Sequence, residues 1–552
     1  MPERARELGA LALALQPDAS RLTLPRFLDD IAARHGERVA LRFEGCDLSY
    51  AQLRAEARAV ARGLVAAGIA RGEHVAVLFA NRPEWAICAL GAALAGAVVV
   101  PLSTFATPAE RAFLLAHSDA VALLYQRALL ARDFAAELRA APRPARLRLL
   151  ACWGEQAFPR AAGANVALEA ELEARAASVA PSDPGLLLYT SGTTAEPKGV
   201  LHPQRAPVIQ SWRFAELMDL TPDDRVLSAQ PLFWTAGIAM SLGATLAAGA
   251  TLLLQESFEP GAALALIERE RATTLHAWPH QEQAMAAHPE AVRRDLASLR
   301  KLEFTSALAA HARLERDEWG IYASFGATES FTLASALPAR APAAQRRASH
   351  GAPLPGNELR ILHPETGAQL GAGCEGEIAL RGPTLMIGYW KQPRAAAFDT
   401  EGFWHSGDTG WLDARGRLHW RGRASGMIKT GGANVSPLEV EAALAAFPGV
   451  KSAHALGVPH PALGEALVLC VVLSAESPRG AISLDAVREF LRPQLAGYKL
   501  PRALLAFAAR EVAYTGSQKV ALAALRERAL ERLAAEGTEI AGHRYGSERR
   551  SR

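Results

Sequence analysis

Lysine is scarce in this chain of 552 residues: only seven residues are lysine, and the other 53 of the 60 basic residues are arginine. Genome composition can produce such a bias, so scarcity by itself assigns no role. An ammonium group on a flexible stem nevertheless cannot be replaced by a planar guanidinium where one particular oxygen must be reached. We therefore treat the lysines as candidate functional residues, and four of them lie in the motifs described below.

The chain also lacks a large net charge. The 60 basic and 57 acidic residues give a formal net charge of +3, which argues against nucleic acid or an anionic membrane as the main partner. The five cysteines form neither a CxxC pair nor a zinc-ligand spacing. We therefore expect reduced, buried thiols in a cytoplasmic protein.

Hydrophobic runs of bilayer length are nearly absent. Trp85–Leu102 has eighteen residues without a charge, but Gly91, Gly96 and Pro101 interrupt it. An alanine-rich helix that leads into a strand at Val98–Val100 accounts for the run better. We therefore expect no membrane span.

The chain is longer than one hydrophobic core usually supports, which predicts several domains. Helical and strand-like segments alternate over the first four hundred residues, for example a helix at Tyr50–Ala67 with Ser49 as its N-cap, and this alternation favours parallel sheets covered by helices. Short runs divided by Gly and Pro between about Gly351 and Trp420 indicate an antiparallel or barrel-like subdomain. Farther on, a capping box with proline at the first helical position predicts a helix that starts at Ser436.

A polar segment, YTSGTTAEPKG (Tyr189–Gly199), follows the apolar run Leu186–Leu188. Gly192 and Gly199 allow the backbone to bend where a side chain would clash. Hydroxyl and ammonium groups there could bind phosphate oxygens; they belong to Ser191, Thr193, Thr194 and Lys198. Taken alone, a polar turn between two strands explains the segment equally well. It is not a Walker loop, because no Gly-Lys-Ser/Thr follows the first glycine at that spacing.

Four further segments carry chemically useful side chains. They are Phe325-Gly326-Ala327-Thr328-Glu329, Trp404-His405-Ser406-Gly407-Asp408, the stretch Gly422–Glu441 with Arg423 and Lys429, and Tyr514–Val520 with Lys519. The carboxylate of Glu329 suits a hard cation such as Mg²⁺, and Asp408 offers an acceptor for sugar hydroxyls. Each segment alone has an ordinary explanation as a turn, a strand end or an exposed lysine.

In this order and at these separations, the five segments resemble the motifs of the superfamily of AMP-forming acyl- and aryl-CoA synthetases, adenylation domains and luciferases. The resemblance extends from about Leu24 to Arg528. It implies an α/β fold with a large N-terminal region of helix-flanked sheets plus a distorted β-barrel (residues 1–424). A small, mobile C-terminal α+β lid (425–536) and a flexible tail (537–552) would follow.

The resemblance also implies a two-step activity with ATP, Mg²⁺ and CoA. A carboxylate would attack the α-phosphate of ATP and release pyrophosphate, after which a thiol would displace AMP from the acyl-adenylate. The segment from Thr190 to Lys198 would hold phosphate oxygens, Thr328 would contact the α-phosphate and Glu329 would bind the metal. The adenosine would be held by Ser324, Phe325, Asp408 and Arg423. Lys519 would bridge the carboxylate and the α-phosphate while charge develops.

The family rotates its lid between the two steps, so that Lys429 replaces Lys519 at the reaction centre. In this chain Ser425 stands at the hinge position, where the family usually has aspartate or lysine. Gly431, Gly432 and Lys499 match positions that would bind CoA, although a solvated lysine is an equally good interpretation of Lys499.

The departures from the family pattern cluster around the adenine and acyl pockets. Trp234 stands where histidine is common, and Phe304-Thr305-Ser306-Ala307 replaces a Gly-Gly-Ala-Pro turn. We expect an acyl pocket formed by Trp234, Gly237, Trp278, Ser306 and Gly326. The two tryptophans could narrow that pocket or stack on a ring, and they could equally be ordinary core aromatics.

The leading hypothesis is an ATP-dependent acid:CoA ligase for an aromatic or a medium- to long-chain acid, acting as a monomer or homodimer. One alternative is an adenylating enzyme that loads a carrier protein. A remote alternative is an inactive nucleotide- or acyl-binding protein, against which the intact Thr328, Glu329, Lys429 and Lys519 argue.

Overall fold

The structure is a computed structural model, and it describes residues 21–161, 166–190, 197–423, 427–473, 482–508, 511–512, 520 and 522–546. The Arg423 side chain, the segment Ser191–Thr194, Ser425 and Lys519 lie outside this description.

The described α-helices are numbered in chain order. They are α1 (Leu24–His35), α2 (Tyr50–Ala66), α3 (Pro83–Leu94), α4 (Pro108–His117), α5 (Phe134–Ala140), α6 (Val166–Ser178), α7 (Arg205–Leu217), α8 (Ala244–Ala248), α9 (Pro260–Glu270), α10 (Pro279–Ala286), α11 (Ala343–Arg346), α12 (Pro437–Leu444), α13 (Leu484–Leu491) and α14 (Leu522–Glu536). A π-helix spans Gly237–Gly243, and 3₁₀ turns span Thr328–Ser330, Arg394–Ala396 and Gly497–Lys499.

The described strands are numbered in the same way. They are β1 (Val39–Phe43), β2 (Cys46–Ser49), β3 (His74–Leu78), β4 (Val98–Pro101), β5 (Ala122–Tyr125), β6 (Ala128–Leu129), β7 (Arg132–Asp133), β8 (Leu149–Cys152), β9 (Pro184–Thr190), β10 (Lys198–Pro203), β11 (Arg225–Ser228), β12 (Thr251–Leu254), β13 (Thr274–His276), β14 (Phe325–Ala327), β15 (Thr332–Ala336), β16 (Ala352–Pro353), β17 (Glu358–Leu362), β18 (Gly376–Arg381), β19 (Gly388–Tyr389), β20 (Trp404–Leu412), β21 (Leu418–Arg423), β22 (Ile428–Thr430), β23 (Ala433–Val435), β24 (Val450–His460), β25 (Gly464–Leu473), β26 (Ala503–Phe507), β27 (Glu539–Ile540) and β28 (His543–Arg544).

Two largely parallel sheets form the N-terminal part. One has the strand order β19-β10-β9-β4-β3-β5-β8, and the other has the order β13-β11-β12-β1-β2. In the first sheet β9, β4, β3, β5 and β8 are parallel. At one edge, β10 pairs antiparallel with β9, and β19 pairs antiparallel with β10. The largest buried cluster includes residues of both sheets and of α2 and α3. The parallel sheet covered by helices that the alternation favoured and the helix-flanked sheets that the resemblance implied are thus confirmed.

Local sequence signals set several element boundaries. The Ser49 hydroxyl accepts a hydrogen bond from the Gln52 backbone amide, and Gln52 Oε1 accepts one from the Ser49 backbone amide, so the predicted N-cap of α2 is confirmed. The apolar run Trp85–Leu102 divides into α3 and β4, as expected. No helix in the described part of the chain is both long and apolar enough to cross a bilayer.

An antiparallel region follows the parallel sheets. It contains a four-stranded sheet, β17-β18-β20-β21, and a three-stranded sheet, β14-β15-β16. The antiparallel prediction is confirmed, but both sheets stay open and the described strands form no closed barrel.

The C-terminal region is a sheet of β23-β22-β25-β24, with β26 parallel to β25, and helices α12 to α14. The expected helix at Ser436 is present as α12, but Ser436 makes no side-chain cap hydrogen bond and Glu439 binds Lys499 instead. The tail expected to be flexible is ordered through residue 546, because Ile540 and Tyr545 are buried against this sheet and the Tyr545 hydroxyl donates to the Pro459 carbonyl (2.9 Å).

The cysteines are all free thiols. Cys88, Cys152 and Cys470 are buried as expected, whereas Cys46 and Cys374 are exposed, so that expectation is wrong for two positions. Burial raises the pKa of Cys470 to about 12, which makes this thiol unreactive.

Candidate active site

The two ends of the predicted phosphate-binding segment lie next to each other on paired strands. Thr190 is the last residue of β9, Lys198 is the first residue of β10, and the two pair in antiparallel register. Both side chains are half-buried. The residues between them, Ser191 to Thr194 included, lie outside the described part of the chain.

One tyrosine contacts both Lys198 and Glu329. The Lys198 Nζ lies 5.2 Å from the centroid of the Tyr389 ring, and Tyr389 is brought there because β19 pairs with β10. The Tyr389 hydroxyl donates a hydrogen bond to Glu329 Oε1 (2.9 Å). Three segments that are distant in sequence therefore bring an ammonium, a phenol and a carboxylate together.

Buried side chains hold the Thr328–Ser330 turn that carries Glu329. His202 Nε2 donates to the Thr328 carbonyl (2.8 Å), and full burial lowers the pKa of His202 to about 3, so this ring stays neutral. The Gln210 amide donates to the carbonyls of Phe331 (2.9 Å) and Leu333 (2.8 Å). Phe331 has a φ of 52°, a strained conformation that these bonds offset.

The strand before this turn approaches its neighbour closely. A Cβ at Gly326 would lie 2.0 Å from the Thr332 carbonyl oxygen, so only glycine fits there. Phe325 is 5% exposed and packs with Ile378 and Leu380 of the antiparallel region, while Ser324 is half-buried. The adenine contact assigned to Phe325 stays a prediction.

The residues expected to bind ribose lie on paired strands. Asp408 of β20 is in register with Arg423 of β21. The Asp408 carboxylate accepts a hydrogen bond from the Trp420 indole (3.2 Å), and the Trp420 backbone amide donates to His350 Nδ1 (3.1 Å). Burial lowers the pKa of His350, and the charge of Lys429 contributes to this effect.

Aromatic rings from both regions meet around Trp234. The Trp234 ring lies 5.4 Å from Trp278, 5.9 Å from Phe105 and 6.1 Å from Tyr498. Tyr498 belongs to the C-terminal region, whereas the other three rings belong to the N-terminal region. The expected wall of the acyl pocket is therefore shared between regions.

The hairpin that joins β22 to β23 packs against this wall. Gly431 and Gly432 have φ values of 56° and 79°. A Cβ at Gly432 would lie 2.3 Å from Trp278 Nε1, and one at Gly431 would lie 3.3 Å from the His280 ring. Both glycines are required by the turn and by the close approach of the two regions.

The two other expected pocket residues differ from each other. Gly237 opens the π-helix, and a Cβ there would lie 1.9 Å from the Pro231 carbonyl oxygen. Ser306 lies beside Glu282. Burial raises the pKa of Glu282 to about 7, the hydrogen bond from Ser306 opposes this shift, and the charge of Glu303 reinforces it. A carboxyl group that is readily protonated thus lies next to the expected pocket.

Lys499 is buried between two carboxylates. Its Nζ lies 2.6 Å from Glu110 Oε1 of α4 and 2.7 Å from Glu439 Oε1 of α12. Lys499 therefore forms an ion pair between the two regions. It is neither solvated nor placed as the expected CoA contact.

Two family models together match most of the chain. Residues 28–390 match the family described as AMP-binding enzyme, and residues 439–519 match the AMP-binding enzyme C-terminal domain. The chain belongs to this family.

Relatives cover nearly the whole chain of this AMP-binding enzyme. A feruloyl-CoA synthase of an Amycolatopsis species is 34% identical, with 89% of this chain and 95% of the relative covered. An indoleacetate–CoA ligase of Aromatoleum aromaticum is 32% identical, with 87% and 93% covered. The structure of an amide bond synthetase from Marinactinospora thermotolerans superimposes with a TM-score of 0.74 at 28% identity, with 92% and 99% covered. The protein is accordingly an AMP-forming CoA ligase that uses ATP, Mg²⁺ and CoA.

The donor groups on the phosphate side fit magnesium bound together with a nucleotide. The described residues contain no group of three or more His, Cys, Asp or Glu side chains that would enclose a metal ion. Mg²⁺ at nucleotide sites usually takes one or two carboxylates and completes its shell with phosphate oxygens and water. The Glu329 carboxylate, 7% exposed and oriented by Tyr389, would supply such a ligand.

Sequence reasoning missed several residues that hold the site. Tyr389, His202, Gln210 and Trp420 orient Glu329, the Thr328 turn and Asp408. His202 could have been found, since it stands in the β10 strand directly after the phosphate segment. Tyr389 and Trp420 gave no local signal, because their partners lie in other segments of the chain.

Proposed function

We propose that this CoA ligase activates an aromatic carboxylic acid. The observation that carries the proposal is the aromatic wall of Trp234, Trp278, Phe105 and Tyr498 beside the Gly431-Gly432 hairpin. Aromatic rings bind a flat ring by offset or edge contacts. The relatives named for ferulate and indoleacetate support the same class of acid. A medium- or long-chain acid is the alternative within this activity.

In the first half-reaction a carboxylate oxygen attacks the α-phosphorus of ATP, and the bond to the β-phosphate breaks with release of pyrophosphate. Both reactants are anions, so stabilisation of the developing charge dominates. Lys198 and the segment from Thr190 bind the departing phosphates, and Thr328 contacts the α-phosphate. Asp408 and Arg423 hold the ribose, with Asp408 oriented by Trp420.

Glu329 would hold the magnesium ion, which when bound would supply positive charge to the phosphate oxygens. Tyr389 keeps the Glu329 carboxylate in place, and Lys198 lies over the face of the same tyrosine. Lys519 neutralises charge between the carboxylate and the α-phosphate during this step.

In the second half-reaction the CoA thiolate attacks the acyl carbonyl carbon, and the bond to AMP breaks. The lid rotates about Ser425 between the two steps, and Lys519 leaves the reaction centre. Packing of the Gly431-Gly432 hairpin, which follows Lys429, on Trp278 supports a lid arrangement suited to this second step.

The test uses the purified protein with a panel of aromatic and aliphatic acids, ATP and Mg²⁺. Release of pyrophosphate and of AMP is measured with and without CoA, and the acyl-CoA product is identified. We expect aromatic acids to give acyl-CoA with the highest kcat/KM. A clear preference for aliphatic acids would overturn the assignment of the acid.

The acceptor is tested in the same assay. Pyrophosphate release that depends on the acid but yields no acyl-CoA would instead favour loading of a carrier protein, which is supplied in a parallel reaction as a phosphopantetheinylated carrier. Absence of acid-dependent pyrophosphate release across the panel would overturn the proposed substrate class.

A further inference from the structure

A buried group of three charges joins the two regions of the molecule. Lys499 lies in the 3₁₀ turn of the lid, Glu439 lies in α12 of the lid, and Glu110 lies in α4 of the N-terminal region. The three side chains are 6%, 8% and 12% exposed. Of the two ion pairs, only the one with Glu110 crosses between the regions.

These charges are held tightly. The Ala496 backbone amide also donates to Glu110 Oε1 (3.4 Å). Burial by itself would lower the pKa of Lys499, but the neighbouring Tyr498 and the two carboxylates raise it above its ordinary value. The lysine therefore stays charged, and separating it from Glu110 would leave a carboxylate that must find water or another partner.

The ion pair is placed where it can control the active site. Glu439 lies in the first turn of α12, which directly follows the β22–β23 hairpin with Lys429 and Gly432. The residue beside Lys499 is Tyr498, whose ring contacts Trp234 and Phe105 of the N-terminal region. Holding Lys499 against α4 thus holds the hairpin over the acid side of the site.

We propose that Lys499 and Glu110 are positioning residues for the thioester-forming half-reaction, because their ion pair fixes the lid in the orientation seen here. The inference rests on the proposed function, in which the lid has a second orientation for adenylation. Rotation into that second orientation separates Lys499 from Glu110 and leaves Lys499 with Glu439, since those two belong to the same region.

The decisive variant is Glu110→Gln. Glu110 Oε2 accepts the Thr107 backbone amide in the capping box of α4 (2.7 Å), and glutamine keeps that hydrogen bond while it removes the charge. We expect thioester formation from supplied acyl-adenylate and CoA to fall about tenfold or more, because the population of this lid orientation falls. Acid-dependent ATP–pyrophosphate exchange should stay unchanged or rise.

Two companion variants separate positioning from stability. Lys499→Arg keeps the charge and should retain more of the thioester rate than Lys499→Met, which removes it. Lys391→Met is the matched control, since Lys391 pairs with Asp119 at an exposed site within the N-terminal region (3.1 Å) and should change neither half-reaction. An equal loss of both half-reactions in Glu110→Gln, with a lower melting temperature, would show a merely structural role and overturn the proposal.

A distance measurement that needs no substrate distinguishes failure of this inference from failure of the proposed function. Spin labels are placed at the exposed positions 292 and 451, one in each region, after replacement of the exposed Cys46 and Cys374 by serine. We expect the distance distribution of Glu110→Gln to shift away from the one that matches this structure. An unchanged distribution would overturn the proposal, whether or not any acid in the panel is a substrate.

Discussion

The proposed phosphate side and the proposed acid side of this active site are built differently. On the phosphate side, Glu329 and Lys198 are fixed by paired strands, by the buried His202 and by the half-buried Tyr389. On the acid side, Trp234 and Trp278 meet a ring and a glycine hairpin that belong to the lid. The N-terminal region alone therefore brings together the described side chains that we propose to bind phosphate and magnesium. The proposed acid side is completed only when the lid packs on it.

This difference predicts that changes on the phosphate side affect the first half-reaction alone, and that changes on the acid side affect substrate choice and lid position. Four substitutions test the comparison.

The largest effect is expected for Lys519→Ala. Removal of one group that neutralises charge in the transition state typically costs about two to three decades in rate, or about 3–4 kcal/mol. Acid-dependent ATP–pyrophosphate exchange should collapse by that factor, while thioester formation from supplied acyl-adenylate persists. Equal loss in both assays would contradict the separation of the two steps.

Tyr389→Phe should reduce adenylation by roughly ten- to a hundredfold, because a hydrogen bond to a charged group is worth about 1.5–3 kcal/mol and the Glu329 carboxylate loses its donor. The measurement is ATP–pyrophosphate exchange as a function of Mg²⁺ concentration. Tyr125→Phe, a buried tyrosine on β5 of the same sheet, is the control. A drop in the thioester assay of similar size would argue against a role confined to the phosphate side.

Trp234→Leu should change the ranking of acids by about tenfold in kcat/KM, since an aromatic contact contributes about 0.5–1.5 kcal/mol beyond its buried area. The KM for ATP should not change. Trp411→Leu, which removes a ring stacked on His419 in the antiparallel region, should leave the ranking as it is. If Trp234→Leu alters only thermal stability, its ring is an ordinary core aromatic.

The smallest effect is a pH-dependent one at Glu282. Its pKa is raised to about 7 by burial, so the unfolded chain loses the proton first and the free energy of unfolding decreases as the pH rises from about 4.5 to 7. Glu282→Gln should therefore stabilise the protein at pH 8 relative to pH 5, by roughly 1–3 kcal/mol. Thermal unfolding at both pH values measures the difference.

The control for this substitution has the opposite sign. The hydrogen bond from Arg294 lowers the pKa of Glu268, so its stabilising contribution is present above the ordinary pKa and is lost as the pH falls. Glu268→Gln should thus be destabilising at pH 8. The same pH trend in both variants would exclude burial of Glu282 as the cause.

The sequence alone determined the features that depend on neighbouring residues. The N-cap of α2, the division of Trp85–Leu102 into a helix and a strand, and the order of the five motifs were all readable, because turns, caps and strand runs are local. The motifs in turn led to the family and the type of reaction. The flexible tail expected from residue 537 was wrong for residues 537–546, and the expected burial of all cysteines was wrong for two of them, since composition does not reveal what a segment packs against.

Only the tertiary structure decided the partners of distant side chains. Lys499 matched a CoA-binding position by its motif, yet it pairs with a glutamate 389 residues away, and Tyr389 reaches Glu329 from a different segment. Such pairs depend on how sheets and regions pack, and a short pattern carries no information about that packing. The strength of a buried ion pair likewise comes from exclusion of water, which exists only in the folded protein.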